Sequence, residues 1–197
     1  YPNTIPIGTN VRITEKIHGT NCRLGKVNED GWVYAAGSHK VRRQEPMGTR
    51  RCLYWDPIEP IKPLLDALCQ DKHDIVVFGE IFGVGVQDMD YGQEGKSFRV
   101  FDITKDGVYM DWSEMRAACE EHGVPMVPVL YEGPFTHEIV EKLTYGPTTF
   151  EDVKCKFKDR EGCVITPMTE QQCRVGRMIL KSVSADYRDR KGAKDIA

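Results

Sequence analysis

The stretch Glu15-Lys16-Ile17-His18-Gly19-Thr20-Asn21 decides how this sequence is read. It follows Val11-Arg12-Ile13-Thr14, whose alternation of apolar and polar residues has the period of two expected of a half-buried strand. Gly19 supplies a turn, and Cys22-Arg23-Leu24-Gly25-Lys26-Val27 reads as a second strand. A lysine is therefore held at a strand end. A histidine stands two residues on, and small or polar residues follow where a phosphate backbone could approach. Two readings stand from this stretch alone: the solvated tip of a hairpin, or a lysine placed as a nucleophile toward a nucleotide.

The bulk numbers set bounds. At 197 residues and 40% hydrophobic, the chain is long enough for one domain with a substantial core. A formal charge of −3 excludes a generally basic nucleic-acid coat, so any such contact has to use local clusters of Lys and Arg. The seven cysteines show an odd count and no CxxC pair, which argues against a zinc ribbon and against a disulfide framework. Reduced, mostly buried thiols in an intracellular compartment are expected. No apolar run approaches ~18 residues, so neither a transmembrane helix nor a membrane partner is expected. No signal-peptide pattern is visible, and the start at Tyr1 rather than Met is read as trimming.

Further strands are predicted at Trp32 to Ala36, Asp74 to Glu80, Ser97 to Ile103, Cys163 to Pro167 and Met178 to Ser184, and a turn at Lys105-Asp106-Gly107 leads to Val108-Tyr109-Met110. Helices are predicted over 57–70, on the spacing of Ile58, Ile61, Leu64, Leu65 and Leu68, and over 113–121 and 136–143. Asp111 or Ser113 is the expected cap of the second helix, and Gly123 its stop. Four stretches carry chemistry as well as structure. Gly37-Ser38-His39-Lys40 is either a solvated loop or a phosphate and ribose site using the Ser38 hydroxyl and the Lys40 cation; Arg42, Arg43, Arg50 and Arg51 extend this basic flank. Glu80 ends an apolar strand, a costly place for a carboxylate unless it is paired or reaches a rim. Phe101, which shares a strand face with Arg99, is a core residue or a surface on which a base stacks. Glu161 precedes Gly162 and an apolar strand: it lies in a solvated turn, or meets a metal beside a close-approaching backbone. Lys154 to Lys158 alternates Lys with Cys and Phe, and the charged tail from Arg188 to Lys194 reads as exposed. With no repeat or linker, residues 1–197 read as one domain, and no OB-fold module is visible.

Taken in order, these stretches resemble the covalent nucleotidyltransferase superfamily of ATP-dependent nucleic-acid ligases and capping enzymes. KIHGTN (Lys16 to Asn21) resembles motif I, GSHK (Gly37 to Lys40) motif Ia and VVFGE (Val76 to Glu80) motif III. FRVFDI (Phe98 to Ile103) resembles motif IIIa, REGCVI (Arg160 to Ile165) motif IV and MILKSVS (Met178 to Ser184) motif V. His18 and Asn21 favour RNA ligases of the ligase 2 type. The run from Gly79-Glu80-Ile81-Phe82-Gly83 through Gln87-Asp88 to Tyr91-Gly92, with LKSVS, is most similar to the Deinococcus-type RNA ligases. One departure stands out: many relatives carry a second lysine two residues after the first in motif V, and here that position is Val183.

The resemblance implies an α+β, ATP-grasp-like nucleotidyltransferase domain, with two mainly antiparallel sheets forming a nucleotide cleft and helices outside. It implies that Lys16 attacks the α-phosphorus of ATP and carries AMP as a phosphoramidate. The AMP then passes to an RNA 5′-phosphate, and a 3′-hydroxyl displaces it to join the strands, in RNA repair. A free lysine, with a pKa of about 10.4, is almost wholly protonated at neutral pH, so such a nucleophile needs nearby positive charge or desolvation. Lys16, His18 and Lys181 are the implied catalytic residues. Nucleotide contacts fall to Glu15, Lys16, Ile17, Asn21, Arg23, Ser38, Lys40, Glu80, Phe101, Glu161 and Lys181. Mg²⁺ or Mn²⁺ is expected on Glu161, with Glu80 in its shell or on the ribose. The implied partners are RNA ends, a nicked duplex among their forms, and a nucleic-acid-binding domain outside this chain. A DNA ligase, a capping guanylyltransferase and a non-catalytic nucleotide- or RNA-binding module are the alternatives, and Val183 is the feature behind the last.

Overall fold

The computed structural model describes residues 4–70, 72–150 and 158–190. Along the chain lie β1 (Asn10–Glu15), β2 (Thr20–Asn28), β3 (Trp32–Ser38), β4 (Arg42–Arg43), α1 (Ile58–Leu68), β5 (Ile75–Gly83), β6 (Lys96–Lys105) and β7 (Val108–Tyr109). Then come α2 (Trp112–Glu121), β8 (Val129–Pro134), α3 (His137–Thr144), β9 (Gly162–Pro167), β10 (Gln172–Cys173), β11 (Gly176–Arg177), β12 (Leu180–Val183) and α4 (Ala185–Arg188). This is the mixed α+β composition with antiparallel pairing that the sequence implies. The backbone divides into two compact units, one made of Tyr1–Gly19, Phe82–Lys96 and Val127–Ala197, the other of Thr20–Ile81 and Ser97–Met126. Neither is a continuous stretch, and two of the crossing points fall inside β5 and β6, so no linker marks the division in the sequence.

The first unit is built on a sheet of order β12-β9-β1-β8. Alternation in β1 sends Val11 and Ile13 into a core with Ile5, Phe135, Cys163, Ile165 and Met178, against which Ile139, Val140 and Leu143 of α3 pack. Burying each large aliphatic side chain there contributes about 1.5–3 kcal/mol. The intervening Arg12 is also buried, and its Nε donates to Thr166 Oγ1 at 2.8 Å, so its polar head is not stranded. Thr136 caps α3 by accepting from the Ile139 N–H at 3.2 Å. The β8 strand and the short β10–β11 hairpin were not predicted from sequence.

The second unit has a sheet of order β4-β3-β2-β5-β6-β7. Cys22, Leu24, Ile75 and Val77 are fully buried, and α1 packs against β2 with Ile58, Ile61, Leu64 and Leu65 inward. Phe98 lies over Gly79, where a Cβ would come within 2.3 Å of the ring; Gly79 pairs with Cys22, so Phe98 belongs to this core face. By alternation, Arg99 and Phe101 take the opposite face. Asp111 is the N-cap of α2, and Gly123, at φ +63°, follows its end as expected.

The six described cysteines are all free, and burial pushes the Cys22 thiol up to about 12, as expected of inert interior thiols. Cys155 and most of the Lys154 to Lys158 stretch lie outside the described residues. No helix among those described is long and apolar enough to cross a membrane.

Gly162 tests the fold most directly. A Cβ there would lie 1.9 Å from the Ser182 carbonyl oxygen of the paired strand β12. Gly162→Ala is expected to destabilise the protein by about 3 kcal/mol, read as a lowered urea midpoint at unchanged slope. A midpoint equal to the parent's would refute this account of the strand pairing.

Candidate active site

Lys16 follows β1 directly, and its position is set by the ladder between β1 and β9. Glu15 pairs with Cys163, and the next main-chain N–H, that of Lys16, donates to the Gly162 carbonyl at 3.0 Å. Gly162 therefore stands across from Lys16 with Glu161 next to it, and Lys16 Nζ lies 2.5 Å from Glu161 Oε1. The carboxylate side chain is only 7% exposed, so removing Lys16 would leave an unpaired buried charge. The second oxygen, Oε2, is buried with no hydrogen-bond partner among the described residues. His18 Nδ1 lies 3.9 Å from it.

Glu15 points the other way. It is 1% exposed and accepts from the Thr148 hydroxyl at 2.5 Å, the Thr149 hydroxyl at 2.6 Å and the Thr149 N–H at 2.8 Å. Such charge-assisted bonds fix the backbone immediately before Lys16. The Ile17 side chain is likewise interior.

His18 is enclosed. Its main-chain N–H donates to the Tyr91 hydroxyl at 2.6 Å, while Nε2 lies 2.6 Å from Asp88 Oδ1 and Nδ1 lies 2.6 Å from the Tyr187 hydroxyl. Burial lowers the His18 pKa below its ordinary 6.5, outweighing the opposing effect of Glu161 and Asp88. The network then assigns the neutral tautomer: Nε2–H donates to Asp88, and Nδ1 accepts from Tyr187. Tyr91 is itself packed against Phe82 and Phe150, with ring centroids 5.5 and 5.0 Å away.

Lys181 is exposed on β12 and pairs with Val164, which pairs with Thr14. Alternation carries that face of the sheet on to Val183, the position where many relatives have a second lysine.

In the second unit, the face opposite the core carries Asn21 beside Glu80 and Arg23 beside Phe78, with Phe101 on the same side. The Arg23 guanidinium sits 5.3 Å from the Phe78 ring centroid and 3.2 Å from His39 Nδ1. Arg23 Nε and Asn21 Oδ1 are buried with no hydrogen-bond partner among the described residues. Ser38 closes the β3–β4 turn by bonding the Val41 main chain, and Lys40 is exposed in that turn. A cavity of about 280 Å³ has Gly25, Ala35 and Val76 in its lining and Arg23, Ser38, Lys40 and Arg42 around them.

Lys16, His18 and Glu161 are thus brought together within the first unit, on a sheet that also carries Lys181. Asn21, Arg23, Glu80 and Phe101 share one sheet face within the second, with Ser38 and Lys40 at the β3–β4 turn. Sequence reasoning missed Thr148, Thr149, Tyr187 and Arg190. Arg190 lies in the tail read as exposed, yet its side chain is only 6% exposed. A signal for Tyr187 was present: Ser184 caps α4 by accepting from the Tyr187 N–H at 3.1 Å, a start that seats the tyrosine in the first turn. Among the described residues no three His, Cys, Asp or Glu side chains cluster as a ready metal site.

A family model described as RNA ligase matches residues 9–183. No curated protein is similar enough in sequence to count as a match. Solved structures of Naegleria gruberi RNA ligase share the fold. One, without ligand, superposes with a TM-score of 0.74 at 20% identity, covering 91% of this chain and 51% of that one. Two variants determined with ATP and Mn give TM-scores of 0.74 and 0.73 at 19% and 20% identity, covering 95% and 94% of this chain and 58% and 54% of theirs. The chain spans about half the length of these solved relatives.

The enclosure of His18 has a measurable consequence. As pH falls through about 6.5, the unfolded chain takes up a proton on this histidine before the folded protein does. The stability tied to neutral His18 is therefore present above that pH and lost below it. His18→Gln is expected to lose stability less steeply than the parent between about pH 7 and pH 5.5, as read from urea midpoints. Parallel profiles for the two proteins would refute the assignment.

Proposed function

Because this chain belongs to the RNA ligase family, we propose that it is the adenylyltransferase part of an ATP-dependent RNA ligase in which Lys16 carries AMP. The observation behind this reading is the pair formed by Lys16 and the buried Glu161, with one carboxylate oxygen left over. A lysine held at 2.5 Å from a carboxylate inside the fold is oriented, and it has one partner to leave before its nitrogen can attack.

In the first step, neutral Lys16 Nζ forms a bond to the α-phosphorus of ATP as the bond to the pyrophosphate oxygen breaks. In the second, the phosphoramidate bond breaks and AMP passes to the 5′-phosphate of an RNA. In the third, an RNA 3′-hydroxyl displaces AMP and seals the strand. The protein's task in such transfers is positioning and charge stabilisation. The fixed backbone at Glu15 and the Lys16 N–H bond to Gly162 set where Nζ can reach. Lys181 and Lys40 are assigned to phosphates, Glu80 to the ribose or the metal shell, and Phe101 to the adenine face.

ATP and Mn are present in solved variants of the Naegleria ligase, which supports the same pair here. The residues fit a hard divalent cation: an orphaned, buried carboxylate oxygen on Glu161, with phosphates and water to complete the shell, suits an ion that keeps several waters. When bound, it would neutralise phosphate charge and draw the Glu161 carboxylate away from the Lys16 ammonium. RNA ends with a 5′-phosphate and a 3′-hydroxyl are the proposed substrates, in RNA repair. A nucleic-acid-binding module outside this chain is the proposed partner.

The test is incubation with ATP labelled at the α-phosphate, with and without Mg²⁺ or Mn²⁺, followed by denaturing separation. A labelled, acid-labile protein adduct is expected in the parent, none in Lys16→Ala, and about a hundredfold less in Glu161→Ala. An adduct of parental yield in Lys16→Ala would sink the proposal.

A further inference from the structure

Asp88, Tyr187 and Arg190 have no part in the chemistry above, yet they surround the imidazole of His18. Asp88 takes Nε2 and Tyr187 takes Nδ1, both at 2.6 Å. Arg190 in turn grips Asp88, with Nη2 at 3.1 Å from Oδ1 and Nε at 3.3 Å from Oδ2. Its guanidinium lies 3.6 Å above the Tyr187 ring, and its Nη1 donates to the Tyr187 carbonyl at 2.7 Å. Both nitrogens of His18 are occupied, so the ring has none to offer a substrate. It is held as a wall.

The chemistry of the three groups explains what the wall needs. A free imidazole can flip and can carry its proton on either nitrogen. Asp88 only accepts, so the nitrogen facing it must bear the proton. Tyr187 can donate to the nitrogen that remains. One flip and one tautomer are thereby selected, much as a partner on the far nitrogen orients a metal-bound histidine. The chosen orientation sets Nδ1 at 3.9 Å from the Glu161 oxygen that lacks a partner. The T-shaped contact between the His18 and Tyr187 rings, with centroids 5.3 Å apart, adds a steric stop.

We propose that Tyr187, Asp88 and Arg190 are positioning residues that lock His18 beside Glu161, so that transfer of AMP away from Lys16 depends on the segment following β12. This rests on the ligase reading given above. None of the three touches the reacting atoms; each acts through His18.

A double-mutant cycle tests this, because residues that act through one another do not lose activity independently. The measured quantity is the single-turnover rate at which preformed lysyl-AMP passes its AMP to a 5′-phosphorylated RNA. Tyr187→Phe keeps the ring and its contact with Arg190 and removes only the hydroxyl; a rate about tenfold below the parent is expected, the scale of one lost hydrogen bond of about 1.4 kcal/mol. In a His18→Ala background, the same replacement is expected to cost less than about twofold more. Asp88→Asn, whose amide can donate as well as accept, is the second variant, with the same pattern expected. Losses that multiply, or a parental rate in both single variants, would overturn the proposal. A parent that forms no adduct would overturn the ligase reading instead, and the lock is then decided by the ¹⁵N resonances of His18. A protonated Nε2 with a bare Nδ1 that shifts in Tyr187→Phe upholds it, and an unchanged Nδ1 resonance refutes it.

Discussion

The hydrogen bond from the Lys16 N–H to the Gly162 carbonyl is the contact on which the candidate site depends. It continues the β1–β9 ladder one step past the strand, and in a ladder a slip of one residue exchanges the two faces. In the observed register, Glu15 turns inward to its two threonines and Lys16 turns to Glu161. Shifted by one, the lysine would face the interior and the glutamate would lose its threonines. Gly162 makes this register possible, because Ser182 comes so close on the other side of β9 that no side chain fits there. One pairing therefore sets the lysine, the glycine opposite it and the carboxylate next to that glycine.

Much of the fold was legible because alternation reports which face a residue takes. The strands β1 to β3, β5 to β7, β9 and β12 and the helices α1 to α3 lie close to where the pattern puts them, and Phe98 and Phe101 sort onto opposite faces; β4, at Arg42–Arg43, falls in a stretch read as a basic loop. Alternation does not report partners. The stretch from Val11 to Val27 could be a hairpin with Lys16 at its tip, yet β1 pairs with β8 and β9 while β2 pairs with β3 and β5. The partners of β1 are far away in sequence, so no local signal reveals them. β8 escaped notice for a related reason. Pro128 precedes it and Pro134 ends it, and prolines are tolerated there because β8 is an edge strand.

The candidate site was legible in its motifs and not in its supports. Lys16, His18 and Glu161 stand in stretches whose local pattern is unusual, and the fold brings them together. Motifs run along the chain, however, while a sheet sorts neighbours to opposite sides, so Glu15 and Ile17 turn inward beside a lysine that does not. Arg190 shows the other limit. A charged tail is a sound expectation for an arginine among like residues, and here a carboxylate 102 residues away overrides it. Tyr187 is buried for the same long-range reason, since its hydroxyl meets a histidine 169 residues away.

Val183 completes the electrostatic picture. It pairs with Gly162 and shares the face of Lys181, so the second lysine found there in many relatives would have added a cation to the same side of the sheet. With valine in its place, that face carries one positive charge fewer, at a site proposed to receive the phosphates of a nucleotide. On the same sheet, Glu161 keeps an oxygen that no described residue satisfies. A buried carboxylate oxygen without a donor is costly, and phosphate charge without a counter-charge is costly too. Both deficits have the same sign, and one divalent cation relieves both. On the ligase reading, the valine would move part of the charge balance from the protein to the ion.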